Sequence, residues 1–264
     1  MTDPIITLTT DFGEDSPYVA AMKGVILGIN AAARIVDLSH QIPPQDVRAA
    51  AFFLKNAVPF FPQGVIHVIV VDPGVGTERA LLCVDVAGQR LLVPDNGCWT
   101  TLVSPGCRPA AVIRLTQVDY WRGPVSATFH GRDILAPVAA HLSLGIDYRR
   151  LGVPVEQWVQ LTLPRPSRGP QEWSGEVVFV DHFGNLFTNI PGAGIQLEAG
   201  VRLKATIGNA EVSPIWVRSY AAVPADTLVA LISSSGDLEI AVTEGNAARQ
   251  LRAGPGTRVE VSFP

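Results

Sequence analysis

The stretch Val65-Ile66-His67-Val68-Ile69-Val70-Val71-Asp72-Pro73-Gly74-Val75-Gly76-Thr77-Glu78-Arg79 decides the fold. An apolar run broken only by His67 stops at an acid, passes through two glycines within three residues and reaches an arginine. A buried strand that delivers a carboxylate to its end and continues as a tight glycine loop is how open α/β sheets build sites at their carboxyl edge. The competing role for Asp72 is that of an ordinary turn former. Toward the N-terminus, residues 5–9 read as a strand feeding Asp11-Phe12-Gly13. Residues 18–29 follow as a helix, with Val19, Met22, Val25, Ile26 and Ile29 at helical spacing. Residues 34–38 form a second strand, and Pro43-Pro44-Gln45-Asp46 opens a second helix with Asp46 as N-cap and Val47, Ala50, Ala51 and Leu54 on one face. The order β-α-β-α-β is that of a parallel sheet covered by helices.

Toward the C-terminus, residues 81–86, 90–93 and 111–115 read as strands and 133–144 as a helix. The texture changes at Pro164-Arg165-Pro166-Ser167-Arg168-Gly169-Pro170, which suits a linker. Beyond it come short β-like runs at 175–180, 201–207, 228–233, 238–242 and 258–263, with no convincing amphipathic helix between them. The expected architecture is therefore α/β: an N-terminal α/β domain with a central, mostly parallel sheet over residues 1–163, a linker at 164–172, and a smaller all-β, barrel-like domain over 173–264.

Composition narrows the function classes. The 264 residues are 47% hydrophobic and 17% charged, with net charge −4, so the basic footprint of a nucleic-acid binder is missing. Met1-Thr2-Asp3-Pro4 lacks the basic start and apolar core of a signal peptide, and no stretch has the length of a membrane span. Cys83, Cys98 and Cys107 are odd in number and match no metal spacing, which points to buried free thiols in a cytoplasmic protein.

Several side chains can carry chemistry. Asp11 at the sheet edge suits the vicinal diol of a ribose, with a helix N-cap as its competing role. Asp72 and Arg79 frame a glycine turn that either approaches a ligand or holds a structural ion pair. His130, in Thr128-Phe129-His130-Gly131-Arg132-Asp133, adds a titratable imidazole. An acid, a fixed cation and an imidazole together can orient and deprotonate water. In the second domain, Asp181-His182-Phe183-Gly184-Asn185 offers an aromatic face and an amide for a base, or a plain β-turn. Ser233-Ser234-Ser235-Gly236 offers hydroxyls for a carboxylate, or only a hairpin turn. No Walker or Rossmann glycine fingerprint occurs. Asp11, Asp72, Asp95 and His130 leave open a metal-dependent phosphohydrolase or nucleosidase, and a non-catalytic nucleoside-binding module is the other alternative.

The set Asp11-Phe12-Gly13, Ser39-His40-Gln41-Ile42-Pro43-Pro44 with Asp46-Val47, Asp72-Pro73-Gly74-Val75-Gly76-Thr77 with Arg79, Pro94-Asp95-Asn96-Gly97, Thr128-Phe129-His130-Gly131-Arg132-Asp133 and Asp181 with Phe183-Gly184-Asn185 resembles the S-adenosyl-L-methionine (SAM) hydroxide adenosyltransferases, the adenosine-forming SAM hydrolases. These are relatives of the fluorinase and chlorinase. The resemblance implies hydrolysis of SAM to adenosine and L-methionine by attack at C5′, with no cofactor and no metal. It implies a homotrimer with sites at subunit interfaces, and a catalytic set of Asp72, Arg79 and His130. It further implies substrate contacts from Asp11, from Phe183, Asn185 and Tyr220 near adenine, and from Asp181, Ser234 and Ser235 near the methionine end. Where the halogenases carry a hydroxyl residue, this chain has Gly131, which implies water as nucleophile. Relatives place an acid five residues after the first Asp. Here that position is Ser16, so either Asp15 reaches the methionine amine through a shifted loop or amine recognition is weaker.

Overall fold

The computed structural model describes residues 4–103 and 108–263, so Cys107 lies outside the described residues. The chain divides into two units, Met1–Leu161 and Thr162–Pro264.

The first unit runs β1 (Ile5–Thr10), α1 (Tyr18–Ile29), β2 (Arg34–Ser39), α2 (Val47–Ala57), β3 (Ile66–Val70), β4 (Leu81–Val86), β5 (Gln89–Pro94), β6 (Ala111–Leu115), α3 (Ala136–Ser143) and β7 (Gly152–Pro154). Its sheet has the order β2-β1-β3-β5-β4-β6-β7. The pairs β1/β2 and β1/β3 are parallel, as the alternating β and α pattern requires, and β3/β5 is parallel as well, although it is β4 and no helix that connects those two strands. The remaining pairs, β4/β5, β4/β6 and β6/β7, are antiparallel. The reason is local at β4/β5. Only Ala87 and Gly88 separate the strands, both at positive φ (52° and 81°), and a two-residue turn of that type closes an antiparallel hairpin.

β3 is buried throughout, because both faces of the sheet are covered. Its Ile66, Val68 and Val70 pack with Ile6, Leu8, Met22, Ile26 and the α3 residues Val138 and Ala139. Its Ile69, with Val71 beyond its end, packs on the opposite face with Ala50, Leu54, Leu91 and Trp99. This alternation is the period of a strand sandwiched between two layers. Asp46 caps α2 by accepting the Ala49 N–H at 2.9 Å, as its position predicts. α1 starts after Pro17 without a side-chain cap, which leaves Asp11 free of the N-cap role.

The second unit comprises β8 (Ser167–Arg168), β9 (Glu172–Val180), β10 (Leu186–Pro191), β11 (Lys204–Ile207), β12 (Ala210–Val212), β13 (Ile215–Trp216), β14 (Leu228–Ile232), β15 (Asp237–Val242), α4 (Ala247–Leu251) and β16 (Arg258–Ser262). The sheet order is β12-β11-β16-β9-β10-β15-β14-β13, with β8 on β9. An antiparallel bridge between Arg202 and Ile215 brings β13 back to the segment just before β11, so the sheet curls upon itself as a barrel does. Val177, Leu186, Ile190, Ala230, Ile240 and Val259 fill its interior. The proline-rich stretch is ordered against this unit, since Ser167 and Arg168 pair with Ser174 and Trp173 and Asn189 Nδ2 donates to the Pro164 carbonyl at 2.9 Å. The short helix α4 is an addition to the all-strand pattern expected from sequence. Among the described residues, no helix is long and apolar enough to cross a membrane.

His67 is buried in β3, with Nδ1 2.8 Å from Thr7 Oγ1 and Nε2 without a hydrogen-bond partner among the described residues. Burial pushes its pKa down to about 4 from the ordinary value near 6.5, against an opposing contact from Gln89. The folded state therefore binds fewer protons than the unfolded chain between those values. His67's stabilising contribution is complete above about pH 6.5 and is lost as pH falls toward 4. The expected drop attributable to this group between pH 7 and pH 5 is about 2 kcal/mol. Urea unfolding of the parent and of His67→Gln at both pH values checks it: the variant's pH dependence across that window should be smaller by about 2 kcal/mol.

Candidate active site

The carboxyl ends of β1, β2, β3 and β5 lie at one edge of the first unit's sheet. The loop after β3 holds Asp72 and Arg79, with side chains only 7% and 13% exposed. Arg79 Nε lies 3.0 Å from Asp72 Oδ1 and 2.9 Å from Oδ2, and its Nη2 also donates to Oδ2. The same Nη2 lies 2.8 Å from His130 Nδ1. A guanidinium only donates, so Nδ1 must accept and the imidazole proton sits on Nε2. Burial lowers the His130 pKa, and the Arg79 charge lowers it further, while Asp72 and Asp133 pull the other way. His130 is thus a neutral imidazole at neutral pH, presenting one N–H.

Local chain geometry brings these groups together. Gly76 has φ 81°, and a Cβ there would sit 2.5 Å from the Ala127 carbonyl oxygen. Glycine is required twice over, for the left-handed backbone and for the close approach of the loop to the segment that leads to His130. Gly74 faces Asp72 Oδ1 and Arg79 Cγ, where a Cβ would lie 3.7 and 3.2 Å away. His130 stands at the start of a π-helical turn, Gly131–Leu135, that runs directly into α3. Insertions of this kind occur often at functional sites. The fully buried Asp133 braces the turn. It accepts from Arg132 Nε at 2.7 Å, Arg132 Nη2 at 2.8 Å, Arg122 Nη1 at 3.3 Å and the Ser126 N–H at 2.9 Å.

Asp11 lies at the end of β1, where Oδ2 accepts the Gln45 N–H at 2.7 Å and Oδ1 takes no hydrogen bond among the described residues. Its loop is tied to the segment after β2: Gly13 N–H donates to the His40 carbonyl at 2.8 Å, and Thr10 Oγ1 is 3.0 Å from His40 Nδ1. Asp15 is exposed, whereas Ser16 Oγ is enclosed without a partner among the described residues. Asp95, one of the acids open to a metal, has Oδ1 accepting the Val159 N–H at 2.9 Å. Among the described residues, no three His, Cys, Asp or Glu side chains gather in a metal-binding group. Cys83 and Cys98 are buried free thiols, each pushed up to about 12 by burial.

In the second unit Asp181 organises a turn. Oδ1 accepts from Phe183 N–H at 3.0 Å and Asn185 N–H at 2.8 Å, and Oδ2 from Asn185 Nδ2 at 3.0 Å. The turn presents Phe183, 72% exposed, beside the nearly buried Asn185. Tyr220 donates its hydroxyl to Glu239 Oε1 at 2.5 Å. Glu239 is 1% exposed, and burial raises its pKa, with the Asp181 charge acting in the same direction. Sequence reasoning missed this acid, whose only signal is a carboxylate inside the apolar run of β15. Ser234 is exposed and Ser235 Oγ is 2.7 Å from Ser233 Oγ, at the β14–β15 turn. Leu186 pairs with Ile240 and Pro191 with Asp237, so the serine turn and Asn185 flank opposite ends of β10. At about 3.3 Å per residue they stand ~15 Å apart along the strand.

An acid, a guanidinium and a neutral imidazole meet at the carboxyl edge of an α/β sheet, on a chain that also carries a curled β unit, and such a set is able to orient and deprotonate water. The SAM hydroxide adenosyltransferase N-terminal domain matches residues 6–152, and the corresponding C-terminal domain matches residues 175–260. The chain belongs to the SAM hydroxide adenosyltransferase family. It is 37% identical to the (R)-S-adenosyl-L-methionine hydrolase of Salinispora arenicola, with 98% of each chain covered. It is 40% identical to the enzyme of the same name from Thermus thermophilus, with 92% of this chain and 93% of the relative covered. The crystal structure of a conserved protein from Thermotoga maritima superposes with a TM-score of 0.91 at 34% identity, covering 98% of this chain and 99% of that one.

The hydrogen bond from Arg79 to His130 Nδ1 requires a neutral ring, and the lowered pKa extends that state below the ordinary histidine value. Activity is therefore expected to hold from pH 8 down past about 6.5 and to fall only below it, as His130 gains a second proton and is expelled from Arg79. A kcat/KM profile against pH, which reports groups of the free enzyme, measures this directly; an acid limb centred above 6.5 contradicts it.

Proposed function

We propose that this chain hydrolyses SAM to adenosine and L-methionine, with Asp72, Arg79 and His130 as the catalytic set. The observation that carries the reading is Arg79 held simultaneously by Asp72 and His130. The sulfonium of SAM already has a good leaving group, because sulfur departs as a neutral thioether. The enzyme has to place a water in line with the C5′–S bond and stabilise its developing hydroxide character. Asp72 accepts the proton of that water, Arg79 fixes the carboxylate and supplies the compensating charge, and the Nε2–H of His130 holds the water from a second side. The oxygen forms its bond to C5′ as the C5′–S bond breaks. The electron pair leaves on sulfur, and the lost proton passes to Asp72 and on to solvent.

Substrate recognition follows the same division. Asp11, with Oδ1 available beside the Gln45 contact, accepts the ribose hydroxyls. Phe183, Asn185 and Tyr220 take the adenine, with Asp181 shaping the turn that presents Phe183 and Asn185, and Ser234 and Ser235 serve the methionine end. Asp15 reaches the amine only if its loop moves, so Ser16 leaves this end with one acid fewer. Gly131 supports water as the nucleophile: a Cβ there would lie 3.0 Å from Val70 Cγ1 and 3.4 Å from Met22 Sδ, both in the core, so a side chain at this point is opposed by packing. The working form is a cytoplasmic homotrimer with sites at subunit interfaces.

Three measurements test this. In water enriched in ¹⁸O, the label should enter the 5′-hydroxyl of adenosine, and Asp72→Asn should lower kcat by roughly 10²–10⁴. Label elsewhere, or an Asp72→Asn enzyme with near-parental rate, overturns the reading. Light scattering should give a particle of three times the 28.2 kDa chain mass; a monomer removes the interface sites.

A further inference from the structure

The motif Pro94-Asp95-Asn96-Gly97 has no part in the chemistry above, yet it holds both ends of the loop that carries Asp72 and Arg79. Asn96 Nδ2 donates to the carbonyl of Val71, the residue before Asp72, at 2.8 Å. The Asp95 N–H donates to the carbonyl of Ala80, the residue after Arg79, at 2.9 Å. The second bond continues the antiparallel ladder in which Leu81 faces Pro94. The first has no main-chain substitute. Parallel pairing of β3 with β5 ends at Val68 and Leu92, and Pro94 has no N–H with which to extend it. The last turn of β3 toward Asp72 is therefore held on this side by a side-chain amide.

The turn itself is braced. Asn96 Oδ1 accepts the Cys98 N–H at 3.2 Å, and the Asn96 N–H donates to the Pro94 carbonyl at 2.9 Å. Gly97 has φ 87°, and a Cβ there would lie 2.6 Å from Leu161 N, so the returning segment closes directly on it. Asp95 is bound to the same segment through Val159. A clamp anchored in this way fixes the carbonyl it holds to a fraction of an ångström, the tolerance that a pre-aligned reacting group requires.

We infer that Asn96 is a positioning residue for hydrolysis, holding the end of β3 so that the Asp72 carboxylate meets the fork of Arg79. It touches no reacting atom and acts through Asp72. The inference rests on the catalytic reading of Asp72, Arg79 and His130.

Asn96→Ser keeps a short oxygen for the Cys98 N–H but loses the reach to Val71. Asn96→Asp keeps the shape and sets an anionic oxygen against the Val71 carbonyl. Both should give folded protein with kcat lowered about 10- to 100-fold and KM for SAM changed less than about threefold. The deciding measurement is a double-mutant cycle: in the Asp72→Asn background, Asn96→Ser should cost almost nothing further, because the group it positions is already gone. Additive losses, or parental kcat in the folded single variants, overturn the inference while leaving the catalytic set intact. Failure of both variants to fold also overturns it, by making Asn96 a residue of folding instead of positioning. A near-parental Asp72→Asn enzyme instead removes the reading on which it rests.

Discussion

A single guanidinium organises the first unit's site. Arg79 has five N–H donors and no acceptor, and it directs them to two partners of different kind. Toward Asp72 it forms a side-on charge-assisted pair, and toward His130 it donates to Nδ1. The first contact fixes the carboxylate. The second decides which imidazole nitrogen keeps the proton and discourages a second one. The three groups together carry no net charge. A cationic sulfonium therefore meets no repulsive field from Arg79, whereas a water losing its proton finds that cation within the array. A lysine would not substitute, since a point charge lacks the planar fork that engages both partners at once.

The fold's contribution is to make this arrangement rigid. Asp72 leaves a strand buried on both faces, so its backbone start is as fixed as the core. Gly76 lets the loop touch the Ala127 carbonyl, which joins the Asp72–Arg79 loop to the segment leading into His130. Asp133, with no exposure, satisfies two arginines and a backbone N–H and so locks the π-helical turn beneath His130. Removing this acid would release two solvent-accessible arginines and leave the Ser126 N–H without its acceptor, loosening the turn.

Legibility in the sequence varied with physical cause. β3 was plain because a strand covered on both faces must be apolar along its whole length, and Asp46 was plain because a cap is a local hydrogen bond. The antiparallel half of the sheet was less visible. Its direction is set by the Ala87-Gly88 turn, and alanine at positive φ is not a turn signature. The π-helical start of the last helix of the first unit leaves no periodic trace, so residues 133–144 read as one regular helix. Asp72, Arg79 and His130 were legible in two motifs and by resemblance, while their meeting through Arg79 depends on long-range packing. Glu239 went unnoticed because one acid in an apolar strand reads as an irregularity until its partner Tyr220 is brought in from a distant loop. Asp181 was expected near the methionine end by resemblance, whereas the hydrogen bonds it accepts from Phe183 and Asn185 form only in the folded turn.

The chemistry explains why so much of this chain is devoted to holding backbone in place. A sulfonium brings its own leaving group, so the barrier is dominated by aligning a weak nucleophile with one carbon and by stabilising the charge it acquires. Both demands are geometric, and flexible surface side chains meet them poorly. Strand ends, glycine contacts and buried amide or carboxylate braces meet them well, because each trades rotameric freedom for a fixed carbonyl or N–H. The loop from Asp72 to Arg79 is short, glycine-containing and tied at both flanks to the turn after β5. In the proposed mechanism the rate depends on residues away from the substrate nearly as much as on Asp72, Arg79 and His130.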